Sequence, residues 1–291
     1  MFTGAMVALI TPFQGGEIDY QTLDELVSFH LENGIDALVP VGTTGECPTL
    51  SHVEHKKVNE RVVKMVSGQV PVIAGAGSNS TAEAIELASY AKTVGADATL
   101  QVGPYYNKPT QQGFYEHFKD IAEEVDLPMV LYNIPSRCGG EGMTSDTVAR
   151  LAELDNVAAI KEATGRLDLA SEIAASCDLT ILSGDDSLTL PLASVGAKGV
   201  ISVVANIVPA DVKAMTDLIL EGDFVQALKW HKKLFALSKG LLSLSVNPIP
   251  IKAAMAMLDM ASDELRLPLT ALDMDKATLL RQALVDYGLL A

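Results

Sequence analysis

Eight short apolar runs recur along the chain at intervals that leave room for one helix between each pair. They are MVALITPF (6–13), ALVPVG (37–42), PVIAGAG (71–77), ATLQVG (98–103), PMVLYNI (128–134), VAAIKEA (157–163), LTILSGD (179–185) and GVISVVA (199–205). Each run is continuous rather than alternating, the pattern of a strand covered on both faces and hence of a parallel sheet. Amphipathic segments lie between them. TLDELVSFHLENG has acids near its start and closes on Gly34, and SNSTAEAIELASYAKTVG opens on a capping Ser or Thr, continues with Glu and stops at Gly95. These are helix start and stop signals. Eight such units in about 220 residues, joined by right-handed crossovers, predict an α/β fold closed into a (β/α)8 TIM barrel. An open doubly wound sheet is the alternative that the rhythm leaves standing. After Gly222 the strands cease. DFVQALKWHKKLFALSKGLLSL, NPIPIKAAMAMLDM and ALDMDKATLLRQALVDYG predict a C-terminal three-helix appendage. The expected division is a catalytic barrel over 1–222 and a helical region over 223–291.

With 291 residues, 48% of them hydrophobic, the chain can bury one large core. Its 21 basic and 37 acidic residues give a net charge of −16 without any Lys/Arg cluster, which argues against nucleic acid as a partner. Cys47, Cys138 and Cys177 are far apart and form no CxxC pair, as expected of reduced thiols in the cytoplasm. The N-terminal MFTGAMVALITPF lacks a basic n-region and its apolar stretch is short. No apolar run reaches the roughly 18 residues of a membrane span. A soluble cytoplasmic protein without a membrane partner is expected.

In such a barrel, chemistry sits at the C-terminal ends of the strands. There stand Gly42-Thr43-Thr44-Gly45-Glu46, Pro104-Tyr105-Tyr106, Tyr132-Asn133 with Arg137 just beyond, Lys161, Gly184-Asp185 and Ile201-Ser202. Lys161 interrupts an apolar run. Either it snorkels or pairs with a carboxylate such as Glu162, or it is a Schiff-base lysine. Burial among Val157, Ala159 and Ile160 would lower its pKa and free the amine as a nucleophile. GTTGE, between a strand and a helix, is either a permissive turn or a set of backbone N–H groups that bind a carboxylate, with hydroxyls able to relay protons. Tyr132 is either a packed ring or a group that gives and takes a proton. His52 and His55 lack zinc-protease spacing, GAGSNS lacks the third glycine of a dinucleotide loop, and no phosphate loop or nucleophile elbow is present. Neither a metal nor any other cofactor is expected.

Taken together, FTGAMVALITPF, GTTGE, YYNKP, YNIPSR, IKEATG and SGDD resemble the dihydrodipicolinate synthase family, a branch of the class I pyruvate-dependent aldolases that include N-acetylneuraminate lyase. The resemblance runs from Phe2 through the C-terminal helices. It implies a lyase of lysine and diaminopimelate biosynthesis. The Lys161 amine would form an imine with pyruvate, and the derived enamine would attack L-aspartate-4-semialdehyde to give 4-hydroxy-tetrahydrodipicolinate. It further implies a proton relay of Tyr132, Thr44 and Tyr106, the last entering from a neighbouring subunit of a homo-oligomer, a tetramer in most of the family. Thr43 and Thr44 would hold the pyruvate carboxylate, Arg137 the semialdehyde carboxylate, and Gly184 and Ile201 would line the pocket. His52, His55, Asn79, Glu83 and Tyr105 match positions where lysine-inhibited members bind L-lysine as an effector, although Cys47-Pro48 departs from the small polar pair expected beside them. A sibling sugar-acid aldolase, or a barrel that only binds 2-oxo acids, would be the rival.

Overall fold

The structure, a computed structural model, describes residues 2–291. Eight parallel strands make up its main sheet: β1 (Gly4–Ala8), β2 (Ala37–Val39), β3 (Ile73–Gly75), β4 (Ala98–Val102), β5 (Met129–Asn133), β6 (Val157–Glu162), β7 (Thr180–Ser183) and β8 (Gly199–Ser202). Their spatial order is β2-β1-β8-β7-β6-β5-β4-β3. The two ends of that order meet. Leu38 pairs in parallel with Val72 and its N–H donates to the Pro71 carbonyl at 3.1 Å, while the Gly75 N–H donates to the Pro40 carbonyl at 2.9 Å. The sheet is therefore closed, and the open doubly wound alternative falls. Glycine at position 75 is needed for this closure, because a Cβ there would collide with the Val41 backbone.

The strands are shorter than the apolar runs that announced them. β1 ends at Ala8, and the run continues to Phe13 in a small hairpin of Phe13–Gln14 with Glu17–Ile18. β2 ends before Pro40, which has no N–H to donate, and Val41 then turns with φ +55°.

Between the strands lie α1 (Tyr20–Glu32), α2 (His52–Val66), α3 (Thr81–Val94), α4 (Gln111–Glu124), α5 (Ser145–Leu151), α6 (Leu167–Ser176), α7 (Thr189–Ala193) and α8 (Pro209–Leu220), with a single helical turn at Pro135–Cys138. The caps are local and legible. Ser51 and Glu54 form a reciprocal capping box at α2, and Ser80 caps α3, which ends on Gly95 at φ +87°. The three predicted C-terminal helices follow as α9 (Phe224–Leu242), α10 (Ile249–Met257) and α11 (Met274–Tyr287). Among the described residues no helix is long and apolar enough to cross a membrane.

Period-two geometry sorts the strand residues into two layers. Met6 and Ala8 of β1 point into the barrel with Val130 and Tyr132 of β5 and Ala159 of β6, whereas Ala5, Val7 and Ile160 pack beneath the helices. The layer beneath the helices runs on from β1 and β8 to Leu237, Met255 and Leu284 of the C-terminal helices. Lys161 stands two residues beyond Ala159, on the same inward face, and is paired in register with Tyr132. The fold thus delivers both side chains to the inside of the barrel at the C-terminal ends of adjacent strands. Of the three apolar neighbours expected around Lys161, only Ala159 shares its face.

Candidate active site

Among the described residues two lysines are buried, Lys161 and Lys252, and they differ in what surrounds them. Lys252 of α10 has a fully buried side chain that meets Glu46 at 2.6 Å, itself fully buried. Lys161, 5% exposed, has no ion pair among the described residues. The carboxylate nearest in sequence, Glu162, instead accepts from the Thr164 N–H at 2.7 Å and the Asn133 side chain at 3.3 Å. The simple alternative of a carboxylate-paired lysine is realised at Lys252 and not at Lys161. Burial lowers the Lys161 pKa to about 8; Asp185 and Asp186 oppose the shift and Arg137 adds to it. Its Nζ lies 4.2 Å from the centre of the Tyr132 ring.

Lys161 opens into a cavity of about 220 Å³ lined by Thr43, Thr44, Tyr132, Arg137, Gly184 and Asp185, among others. That volume suits small acids better than large ligands. Burial pushes the Tyr132 phenol well above its ordinary pKa, an effect that Arg137 and the Thr43 hydroxyl oppose only in part. The phenol is therefore held protonated beside the amine. The Thr44 hydroxyl accepts a hydrogen bond from the Asn247 side chain at 2.9 Å, which leaves its own hydrogen free to donate. Arg137 donates to the Asn247 main-chain carbonyl at 3.0 Å. Asp186 is committed to structure, accepting from the Ser202 hydroxyl at 2.5 Å and the Val203 N–H at 2.9 Å. Asp185 lines the cavity and burial raises its pKa, with Lys161 and Lys239 pulling it down.

Asn247 was not among the residues singled out from the sequence. NPIP reads only as the start of a helix, and the contact with Thr44 spans 203 positions, a separation that no local pattern records. Gly184 lines the cavity, but its N–H is spent on the Glu162 carbonyl at 2.7 Å, so it offers no free donor. The Ile201 side chain is fully buried in the barrel interior. Tyr106 is not in the cavity. It is 91% exposed and held at φ +72°, a conformation that costs a bulky L-residue on the order of 1–2 kcal/mol.

A second polar cluster gathers where α2, α3 and the loop after β4 meet. His52 Nε2 lies 2.8 Å from Glu83 Oε1, and the Ser78 hydroxyl also donates to Glu83. The Asn79 amide donates one of its two N–H groups to the Tyr105 carbonyl at 3.1 Å, which leaves the other able to donate. His55 is buried, with no partner for Nδ1 among the described residues, and burial lowers its pKa to about 4. Helix-start histidines are ordinarily exposed; His52 is, and His55 is not. Beside the cluster, Cys47 is held as a thiol, burial raising its pKa to about 12.

Comparison with known proteins agrees with this geometry. The sequence profile of the Dihydrodipicolinate synthetase family matches residues 1–286. The 4-hydroxy-tetrahydrodipicolinate synthase of Methanocaldococcus jannaschii is 51% identical over 291 residues, all of both chains. The chloride-inhibited dihydrodipicolinate synthase of Acinetobacter baumannii, solved in complex with pyruvate, is 42% identical with a TM-score of 0.97 over 100% of each chain. The enzyme from Cyanidioschyzon merolae, solved with lysine bound, is 43% identical with a TM-score of 0.95 over 99% of each chain. A closed barrel with an unpaired buried lysine at the end of its sixth strand, matched along its length by these sequences and structures, belongs to the dihydrodipicolinate synthetase family.

Proposed function

We propose that the chain condenses pyruvate with L-aspartate-4-semialdehyde to give 4-hydroxy-tetrahydrodipicolinate. The observation that carries this is Lys161, a buried amine without a carboxylate partner, in register with Tyr132 and open to a small polar cavity. Its nitrogen adds to the pyruvate ketone and water leaves, giving an iminium. Loss of a methyl proton yields an enamine, whose carbon attacks the semialdehyde carbonyl as that oxygen takes a proton. The substrate's own amine then adds to the imine carbon and displaces Lys161, closing the ring. Each stage moves a proton beside the amine. Tyr132 and Thr44 serve as the relay, completed by Tyr106 of a second copy of the chain. The exposure and strained backbone of Tyr106 support that role.

Thr43 and Thr44 hold the pyruvate carboxylate, and Arg137 holds the semialdehyde carboxylate through a planar fork that lysine cannot supply. Gly184 and Ile201 shape the floor. Residues 1–222 form the catalytic barrel, and the helical region 223–291 completes its mouth through Asn247. The active form is a homotetramer in the cytoplasm, serving lysine and diaminopimelate biosynthesis. L-Lysine acts as an effector at His52, His55, Asn79, Glu83 and Tyr105. The lysine-bound Cyanidioschyzon merolae relative and the gathering of these five residues support this. The assay that tests the assignment offers pyruvate with aspartate semialdehyde beside a panel of sugar acids. Turnover of the first pair is expected; cleavage of a sugar acid instead would replace the assignment with a sibling aldolase.

A further inference from the structure

The C-terminal region touches the GTTGE loop twice, once from the helix α10 and once from the residues just ahead of it. Asn247, just ahead of α10, donates to the Thr44 hydroxyl, and Lys252, within α10, meets Glu46 two residues further along the loop. Glu46 has φ +55°, and its N–H donates to the Thr43 carbonyl at 3.1 Å, so this carboxylate and the two threonines share one turn. Each member of the pair has a further hydrogen-bond partner. Glu46 accepts the Arg266 N–H at 3.2 Å, and Lys252 donates to the Glu264 carbonyl at 2.6 Å while lying 4.2 Å from the centre of the Phe13 ring.

Neither Glu46 nor Lys252 lines the Lys161 cavity, and the proposed chemistry uses neither. Nor does net stability account well for them, because desolvating two charges offsets most of their attraction. Fixing one arrangement among several is the best-attested use of such a buried group. We propose that Glu46 and Lys252 are positioning residues whose ion pair, with Asn247, locks the GTTGE turn so that the Thr44 hydroxyl stands in its place in the proton relay. This rests on the relay assigned above.

The test is the double variant Glu46→Gln with Lys252→Met, which removes both charges together and strands neither. Its kcat for condensation is expected to fall about 10- to 100-fold, the loss that follows misplacement of a catalytic group by about 1 Å. Trapping of pyruvate on Lys161 by cyanoborohydride, at saturating pyruvate, is expected to remain complete. A folded double variant with the parent's kcat overturns the inference. So does loss of trapping in proportion to kcat, which marks a collapsed site rather than a misplaced hydroxyl. Should the double variant not fold, Glu46→Asp carries the test with the same outcomes, since it keeps both charges and withdraws the carboxylate by one methylene. The parent enzyme's own turnover tests the assigned reaction; only the ratio of variant to parent tests the inference.

Discussion

Replacing Asp185 by Asn should make Lys161 a better nucleophile at neutral pH, not a worse one. With its pKa lowered to about 8 from 10.5, roughly one Lys161 in eleven carries a free amine at pH 7, against roughly three in ten thousand for an exposed lysine. That gain of about 300-fold in reactive amine comes from burial. Asp185 works against it, since its negative charge in the same cavity favours the ammonium. Asn keeps the size and removes the charge, so the midpoint of imine formation against pH should move below about 8. Arg137→Ala removes a positive charge that disfavours the ammonium, and its midpoint should move up. The assay is the initial rate of pyruvate trapping by cyanoborohydride, followed by intact mass across neutral and mildly alkaline pH. A displacement of half a unit changes the free amine at pH 7 about threefold, which such rates resolve. An unmoved midpoint in both variants, or shifts of the opposite sign, would refute the electrostatic account of the amine.

Arg137→Ala should also raise KM for aspartate semialdehyde far more than KM for pyruvate, because loss of a charge-assisted pair costs about 1.5–3 kcal/mol, roughly one to two decades in kcat/KM. Equal effects on both substrates would return Arg137 to its structural bond with the Asn247 carbonyl. His30 is buried with both ring nitrogens unpartnered among the described residues, and burial lowers its pKa to about 3. Its folded value lies below the unfolded one, so the unfolded chain binds more protons and stability is lost as pH falls from the ordinary value of 6.5 toward 3. In urea unfolding, His30→Leu should flatten that acid limb by about 1.4 kcal/mol per pH unit; an unchanged slope would show His30 already protonated in the native state. Glu83→Ala should abolish calorimetric binding of L-lysine and any inhibition by it, leaving turnover without lysine intact; lysine binding that survives the substitution would move the effector site elsewhere.

The barrel was legible because a buried parallel strand leaves a continuous apolar run, and the Ser51–Glu54 box and Gly95 punctuate the helices between runs. Closure was expected from the count of eight units but not forced by it, because it depends on contacts between Leu38 and Val72 and between Gly75 and Pro40 that no single run encodes. Lys161 stood out because a lysine in an apolar strand conflicts with its surroundings. Its pairing with Tyr132 then follows from strand order and register. Asn247 and Lys252 stayed hidden for the opposite reason. Each sits in an ordinary-looking helix or helix start, and each acquires its meaning from a partner more than 200 positions away. The strand pattern put Tyr106 at a strand end, but its role came from the resemblance alone, and within one chain its ring meets solvent.

The most direct test of the account is to incubate the enzyme with pyruvate and cyanoborohydride, digest it and locate the added mass. The account predicts one stoichiometric modification on the peptide that contains Lys161, abolished in Lys161→Arg because a guanidinium stays protonated. Lys252 serves as an internal control, being buried too but bound to Glu46. Modification of Lys252 or another lysine, or no adduct at all under conditions where the enzyme turns over, would contradict the claim that Lys161 is the imine-forming residue.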